Sequence, residues 1–262
     1  MSITKDLAEY NNGNMEAVLI KNRLEKLFLE DRNDKDRYGL HASAVIAPEG
    51  EFCYRAQVLS LFFKQDQGHQ LPIKSLKIFK QGNAMHDKWY SMFRASHIDI
   101  AIERTLWIPE YDLSFTIDAI VKILGKEYIM DIKSQNSFTF TKTKGHPKGE
   151  TQVNFYLWAY SHYTGKPYKN GFVLVDNKND SEIKVVPVKY DPDKAAPYIE
   201  RLKTIQEFKQ TFKEEHIMPK RECPNSECKR ASKCVMRSAC FNTGIGRVPL
   251  TKEERSKAGK SE

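Results

Sequence analysis

The sequence feature that most restricts the fold is residues 113–133, which read LSFTIDAIVKILGKEYIMDIK. Both halves are rich in isoleucine, valine, threonine and aromatic residues, which is typical of strands. Gly125-Lys126 between the halves predicts a tight turn. Because the side chains of a strand point alternately to opposite faces, Asp131 and Lys133 share one face of the second strand. The segment therefore predicts a β-hairpin that carries charged side chains on one face.

The rest of the chain alternates between helical and strand patterns. Apolar positions at helical spacing predict helices over residues 15–30, 51–64, 83–95, 150–164 and 192–216. Runs rich in β-branched residues predict further strands over 100–107, 171–176 and 183–189. Residues 134–149, rich in Ser, Thr, Lys and Gly, predict a mobile basic loop. This order predicts an α/β fold with a mixed central sheet flanked by helices.

The composition points to a polyanionic partner and a reducing compartment. The 262 residues include 42 Lys and Arg against 34 Asp and Glu, so the net charge of +8 favours binding to nucleic acid. The sequence has neither a run of eighteen apolar residues nor an apolar N-terminal signal, so we expect an intracellular protein with no membrane span. In that setting, five cysteines favour metal ligation over disulfides.

The predicted hairpin brings two carboxylates and an ammonium group together. With a turn near Gly125, Asp118 lies opposite residues 131–133, so Asp118, Asp131 and Lys133 converge on one patch. Carboxylates hold Mg²⁺ or Mn²⁺, which neutralises charge on a phosphodiester under hydrolysis, and a lysine can stabilise the transition state. The alternative is a solvated strand end, because Asp-x-Lys is a common sequence.

The segments IERTLWIPEYDLSFTIDAIV, YIMDIKS and TQVNFYLWAY resemble the RecB-like branch of the PD-(D/E)XK nucleases. That branch includes CRISPR-adaptation nucleases, the AddB nuclease domain and viral exonucleases. The resemblance implies a restriction-endonuclease-like core, with Asp118, Asp131 and Lys133 as catalytic residues. It also implies that His86 joins the two aspartates as a metal ligand, and that Gln152 and Tyr156 contact the scissile strand.

Some positions depart from the family pattern or have an ordinary structural explanation. No glycine stands two residues before Asp118, and the second acid is Asp where Glu is commoner. His86 could be a packed histidine, and Gln152 and Tyr156 could be interior residues of an aromatic-rich helix. Glu103 is either a supporting acid or a solvent-facing residue. We expect three lysines to line a DNA path, although a solvated basic loop is the alternative; they are Lys142, Lys144 and Lys148.

Four of the five cysteines lie close together near the C-terminus. Cys223, Cys228, Cys234 and Cys240 follow the spacing C-x4-C-x5-C-x5-C, which by itself suggests a single Zn²⁺. The family resemblance instead implies a [4Fe–4S] cluster that uses one cysteine before the nuclease core and three after it. Cys53 matches the early position, with Cys223, Cys228 and Cys234 as the later ligands and Cys240 as a substitute. Zinc and iron–sulfur both remain open on the sequence.

These features lead to a functional hypothesis and two alternatives. We expect a Mg²⁺- or Mn²⁺-dependent exonuclease that acts on single-stranded DNA ends in replication, recombination or repair. It lacks the helicase motif G-x-x-x-x-G-K-[ST], so a helicase or another replication or recombination protein would unwind the DNA, or the enzyme would act on ends that are already open. The alternatives are a non-catalytic nucleic-acid-binding module with a zinc-bound cysteine knob, and an inactive partner subunit. The sequence does not indicate an oligomeric state.

The same reasoning predicts how the chain is divided. We expect a helical region over residues 1–82 that contributes the early cysteine, and the nuclease core over residues 83–216. A cysteine cluster over residues 217–245 and a flexible tail over residues 246–262 would follow.

Overall fold

The computed structural model describes residues 15–30, 39–64, 73–96 and 99–241. The helices are α1 (Met15–Glu30), α2 (Ala42–Val45), α3 (Tyr54–Phe62), α4 (Ile73–Ala95), α5 (Ser137–Lys142), α6 (Pro147–Thr164), α7 (Pro192–Glu215) and α8 (Arg237–Phe241). The strands are β1 (Leu40–His41), β2 (Asp99–Ile108), β3 (Leu113–Ile123), β4 (Lys126–Gln135), β5 (Asn170–Asn177) and β6 (Ile183–Lys189). No helix within these ranges is both long and apolar enough to cross a membrane.

The chain divides into two compact units. One contains residues 1–35 and 70–84, and the other contains residues 36–69 and 85–262. In the first unit, the Lys77 ammonium on α4 lies 2.7 Å from the Glu25 carboxylate on α1. The second unit contains the whole sheet and the C-terminal part of α4, so the description below concerns this unit. The tail predicted over 246–262 lies outside the described residues.

The centre of the second unit is a mixed sheet. Its strands follow the order β1-β3-β4-β5-β6, and β2 pairs along the other edge of β3. The β2–β3, β3–β4 and β5–β6 pairs are antiparallel, whereas β1–β3 and β4–β5 are parallel. The parallel β4–β5 pair is connected through α6, as parallel neighbours require a crossover. The predicted α/β class with a mixed central sheet is therefore confirmed.

Helices cover both faces of the sheet. On one face, α6 and α7 bury a large cluster that includes Ile129, Phe155 and Val173. On the other face, Trp89 and Tyr90 of α4 pack in a cluster with Met130, Ile132 and Leu174. The alternation predicted for β4 is confirmed, since Ile129 and Ile132 belong to opposite faces. Burying each such side chain contributes about 1.5–3 kcal/mol, so this alternation fixes the register of the strand.

The observed elements differ from the sequence prediction at three places. The hairpin turn is Leu124-Gly125, with φ of 50° and 76°, one residue earlier than predicted. Both residues are left-handed, as a two-residue hairpin turn that matches strand twist requires. The predicted helix over 83–95 is the end of the longer α4. The prediction of a mobile loop over 134–149 was wrong, because these residues form α5 and the first turn of α6.

The strand pair β2–β3 is bent beside Asp118. The ladder pairs Ile102 with Ala119 and Arg104 with Ile117, but Glu103 and Asp118 between them form no bridge. Glu103 has a φ of 48°, a left-handed conformation that costs a residue with a side chain roughly 1–2 kcal/mol. Across this bend the buried face changes, since Ile117 packs in the α6 cluster and Ala119 in the α4 cluster.

Candidate active site

The site lies where β3 and β4 separate. The β3–β4 ladder ends at Ala119 and Met130, and β1 pairs with β3 only at Leu113 and Ser114. Since β2 occupies the other edge of β3, an opening remains between β1 and β4. The Asp118 carboxylate lies in this opening and accepts a hydrogen bond of 2.8 Å from the backbone N–H of Ile132.

Asp131 and Lys133 lie beside Asp118, as the hairpin pattern predicts. The Lys133 ammonium donates to Asp131 Oδ1 at 2.7 Å, and Asp131 is 1% exposed. Its other oxygen, Oδ2, is buried and has no hydrogen-bond partner in the part of the chain that the structure describes. An ionised carboxylate that is buried and half-satisfied is costly to the folded state. A cation at Oδ2 would remove that cost, and carboxylate oxygens are the ligands that a hard divalent ion such as Mg²⁺ or Mn²⁺ prefers.

The electrostatics of the pair favour the same interpretation. Burial raises the pKa of Asp131 to about 7, the Lys133 ammonium opposes this shift, and the Asp118 carboxylate adds to it. Two carboxylates that share one site repel each other unless a proton or a cation lies between them. Perturbed carboxylates in such an arrangement are a common sign of a functional site.

His86 approaches the pair from α4. Its Nδ1 lies 3.8 Å from Asp118 Oδ1 and 3.3 Å from the Tyr90 hydroxyl, one helical turn along. Burial and the nearby Asp118 carboxylate raise the pKa of Tyr90 well above its usual value. The tyrosine therefore stays protonated and its hydroxyl can donate to His86. The structure brings His86 to the carboxylate that the family pattern pairs with it.

Gln152 and Tyr156 also meet near the site. The Gln152 side-chain amide donates to the Tyr156 hydroxyl at 3.0 Å, and both lie on α6. Burial raises the pKa of Tyr156 well above its usual value, and the Asp131 charge contributes to this shift. Tyr156 is 2% exposed and packs against Phe115, so the hydroxyl is held in place. Gln152, only partly buried, is the more accessible of the two.

The first turn of α6 packs directly against Asp131. A side chain at Gly149 would place its Cβ 3.1 Å from Asp131 Oδ2 and 3.1 Å from His146 Nδ1. His146 is the N-cap of the helix, and its Nδ1 accepts from the Gly149 N–H at 2.9 Å. Glu150 completes the cap by accepting from the His146 N–H at 2.9 Å. The positive end of an eighteen-residue helix thus faces the carboxylates, where an anion would also be favoured.

His146 and Gly149 were missed by the sequence analysis. The available signal was His146-Pro147 followed by Glu150, because Pro is common at the first helical position and a carboxylate soon after the N-cap completes a capping box. Burial lowers the pKa of His146, and the Lys133 ammonium adds to the effect. The imidazole is therefore held neutral, which lets Nδ1 accept the capping hydrogen bond.

The remaining predicted residues are exposed. Glu103 lies at the bend of β2, and its carboxylate adds to the upward shift of the Tyr90 pKa. Three lysines of the segment between β4 and the start of α6 are exposed; they are Lys142, Lys144 and Lys148. The structure thus leaves these lysines accessible to a polyanion.

The cysteines gather where the C-terminal segment packs on α3. Cys53 is the N-cap of α3. Burial raises the pKa of Cys53, with smaller effects from charges that include Cys234. Burial and the neighbouring Cys228 raise the pKa of Cys223 to about 11. The Ala231 N–H donates to Cys228 Sγ at 3.3 Å and lowers the pKa of Cys228. Four thiols from both ends of the described chain therefore influence one another.

Cys240 shares its apolar surroundings with Cys234. It packs with Leu59, Met236 and Ala239, and its carbonyl accepts a hydrogen bond of 2.7 Å from Arg221. Within the described ranges, no three His, Cys, Asp or Glu side chains lie close enough to hold a metal ion. This finding applies to the thiols and equally to the group of His86, Asp118 and Asp131.

The comparisons with known proteins give similar folds at low identity. No protein-family model matches the chain, and no curated protein matches it. The crystal structure of SSO0001 is similar with a TM-score of 0.47 and 16% identity, covering 85% of this chain and 96% of that one. LHK-Exo in complex with dAMP gives 0.46 and 12%, covering 66% and 88%. The alkaline exonuclease LHK-Exo from Laribacter hongkongensis gives 0.44 and 13%, covering 71% and 93%. With TM-scores below 0.5, the function has to be argued from the site geometry.

Proposed function

We propose that the chain is a metal-dependent deoxyribonuclease with a restriction-endonuclease-like core. The observation that carries the proposal is the buried Asp131, which has an unpartnered Oδ2 within the described residues and lies beside Asp118 and Lys133. A binding surface for DNA does not require a buried carboxylate, Asp131, beside a half-buried one, Asp118, because both repel phosphate. A phosphodiesterase that uses a divalent cation does require them.

Each residue of the site has a role in this proposal. His86, Asp118 and Asp131 would hold Mg²⁺ or Mn²⁺, which supplies positive charge to the scissile phosphate and activates the attacking water when bound. Lys133 orients the nucleophile or stabilises the transition state with its ammonium. Gln152 contacts the substrate phosphate, while Tyr156 fixes the Gln152 side chain through their hydrogen bond. The N-terminal turn of α6 favours the negative charge of the phosphate.

The finer proposal is an exonuclease that acts on single-stranded ends during replication, recombination or repair. Its support is the sequence resemblance to RecB-like nucleases and the exposed lysines beside the site, Lys142, Lys144 and Lys148. A helicase or another recombination protein would supply open ends. The products of DNA cleavage test whether the substrate is a single strand and whether it is cut from an end.

The test is cleavage of end-labelled single- and double-stranded DNA with Mg²⁺ or Mn²⁺. Lys133→Ala should lower the rate at least about 100-fold, because it removes the cation nearest the reacting phosphate. Lys126→Ala is the matched control, since it removes the same charge from an exposed position at the start of β4. Cleavage that survives Lys133→Ala, or the absence of cleavage with every metal, would contradict the proposal. Binding without cleavage would instead favour the non-catalytic module.

We also propose that the cysteines hold a structural [4Fe–4S] cluster, with Cys53, Cys223, Cys228 and Cys234 as ligands and Cys240 as the substitute. The support is the mutual influence of these four thiols and the N–H that already donates to Cys228 Sγ. Such N–H donors to ligand sulfur tune iron–sulfur clusters. Iron and sulfide analysis of protein purified without oxygen tests the cluster. One zinc per chain without iron would establish the alternative.

A further inference from the structure

A short helix, α5, follows the catalytic strand and is fixed at both ends. Asn136 caps it by accepting from the Thr139 N–H at 2.8 Å. Ser137 N–H donates to Asn179 Oδ1 at 2.9 Å, which ties the helix start to the β5–β6 turn. Phe140 on the inner side is 1% exposed. The Lys184 ammonium lies 3.9 Å from the Phe140 ring centroid and donates to the Thr143 carbonyl at 3.0 Å. The helix is therefore a rigid platform.

The outer side of this platform presents an aromatic ring and a cation. Phe138 is 68% exposed, and the Lys142 ammonium lies 3.8 Å from its ring centroid. The two residues are four positions apart, so they share one face of the helix. A rigid helix that holds a phenylalanine in solvent keeps apolar area exposed, at a cost that burial against a ligand would remove.

The charge around the ring selects the class of ligand. Residues 134–149 contain Lys142, Lys144 and Lys148 and no acidic residue, and all three lysines are exposed. A ring with a cation against one face, in a segment that carries two more exposed lysines, suits a ligand that has both flat apolar surfaces and negative charge. Single-stranded nucleic acid has both, because its bases are free to stack and its backbone carries phosphates. A base pair inside a duplex has both faces covered by its neighbours, so it cannot stack on a side chain without distortion.

The platform is also close to the scissile position. Phe138 follows Lys133 by five residues, so their Cα atoms are at most about 18 Å apart even along a fully extended chain. A strand bound at Lys133 therefore reaches Phe138 within a few nucleotides.

We propose that Phe138 and Lys142 form a stacking subsite for an unpaired base of the substrate strand. The ring of Phe138 stacks on the base, and Lys142 binds a neighbouring phosphate from the other face of the ring. The inference deepens the proposed nuclease function by naming the feature that selects single strands. The position of the subsite relative to the cleaved bond rests on the proposed nuclease function, whereas the binding of an unpaired base at the subsite does not.

The first experiment measures binding of the full chain to a fluorescent oligothymidine and to a blunt duplex of equal length, in EDTA. Stacking on one aromatic contributes about 1–3 kcal/mol per base, so Phe138→Ala should weaken single-strand binding about tenfold and duplex binding less than twofold. Phe138→Trp should preserve or tighten single-strand binding. Tyr163→Ala is the control, because this exposed aromatic lies roughly 24 Å along α6 from Pro147.

The second experiment separates the cation from the ring. Lys142→Ala should weaken both DNA forms and lower the slope of log K against log salt by about one, as expected for a lost phosphate contact. Phe138→Ala should leave that slope unchanged. Equal weakening of single strands and duplex by Phe138→Ala, or no weakening, would overturn the subsite, and the exposed ring would then be assigned to a protein partner. Unchanged thermal stability of each variant excludes misfolding.

The two proposals can fail separately. Binding in EDTA does not depend on cleavage. If the protein cuts no DNA but Phe138→Ala weakens single-strand binding, the subsite proposal stands and the nuclease proposal fails. If cleavage depends on Lys133 but Phe138→Ala binds single strands as well as the unchanged protein does, the nuclease proposal stands and the subsite proposal fails.

Discussion

At the scale of single residues, Asp131 combines burial with negative charge in a way that opposes stability. Its carboxyl group is 1% exposed, and the Lys133 ammonium donates a hydrogen bond to one of its two oxygens. Burial raises its pKa to about 7, from about 3.9 in an unfolded chain. Because the folded state binds this proton more tightly, the free energy of unfolding falls as pH rises from about 4 to about 7. The site therefore costs stability at neutral pH when no cation is bound.

This cost predicts that Asp131→Asn stabilises the metal-free protein. The amide keeps the shape of the side chain and removes the buried charge, so we expect a gain of about 2 kcal/mol at pH 8, allowing for the lost ion pair with Lys133. That gain corresponds to a Tm increase of about 4–8 °C for a unit of this size. Thermal unfolding in EDTA at pH 8 measures it. The gain should vanish below about pH 4, where Asp131 is protonated in both states, and a destabilised Asn variant at pH 8 would contradict the account.

At the scale of elements, α4 is attached to the sheet through a second buried carboxylate. Asp176 at the end of β5 is 0% exposed, and its Oδ2 accepts from Trp89 Nε1 and from the Lys88 ammonium, each at 2.7 Å. Both donors are on α4, within three residues of His86. Within the described residues, the other oxygen of Asp176 has no partner. The hydrogen bonds that this carboxylate accepts therefore come from α4. The contact therefore fixes the helix that carries His86 toward Asp118.

Trp89→Phe tests this attachment. Removing a hydrogen bond to a buried carboxylate should cost about 1.5–3 kcal/mol, and it should also raise the metal concentration needed for half-maximal cleavage because His86 is held less firmly. The measurements are denaturant unfolding and the metal dependence of the cleavage rate. Phe93→Leu is the control, since Phe93 packs against the same apolar cluster and its side chain has no hydrogen-bonding group to lose. An equal shift of metal dependence in both variants would show a purely structural effect.

The elements also show what the sequence could predict. The β3–β4 hairpin was predictable because a period of two, β-branched residues and a glycine turn all agree locally. The register then placed Asp118 opposite the 131–133 region without any long-range information. Helix α5 was missed because residues 134–149 have the composition of a loop, and the helix depends on a partner distant in sequence, Lys184 under Phe140. His146 was missed because its role is a cap, which depends on where α6 begins.

At the scale of the whole chain, the C-terminal segment returns to pack on α3. Arg55 on α3 donates to the Pro219 carbonyl at 2.9 Å, and Arg230 hydrogen-bonds the Phe52 carbonyl. Met236 packs on Leu59. The cysteine pattern near the C-terminus was visible in the sequence, but the approach of Cys53 was not derivable from spacing, because no local pattern links residues about 170 apart. It followed from the family resemblance alone.

This arrangement makes Cys53 and Cys240 a discriminating pair. If the proposed cluster uses Cys53, then Cys53→Ser should remove iron and sulfide and lower the Tm, because a shared cluster links α3 to the C-terminal segment and its binding free energy contributes to folding. Cys240→Ser should keep the metal, since Cys240 is the substitute and not one of the four proposed ligands. Metal content, sulfide content and thermal unfolding of both variants are measured side by side. Loss of metal with Cys240→Ser and retention with Cys53→Ser would assign the ligands to the four C-terminal cysteines. One zinc per chain in that case would identify a zinc site formed by the C-terminal segment alone, without α3.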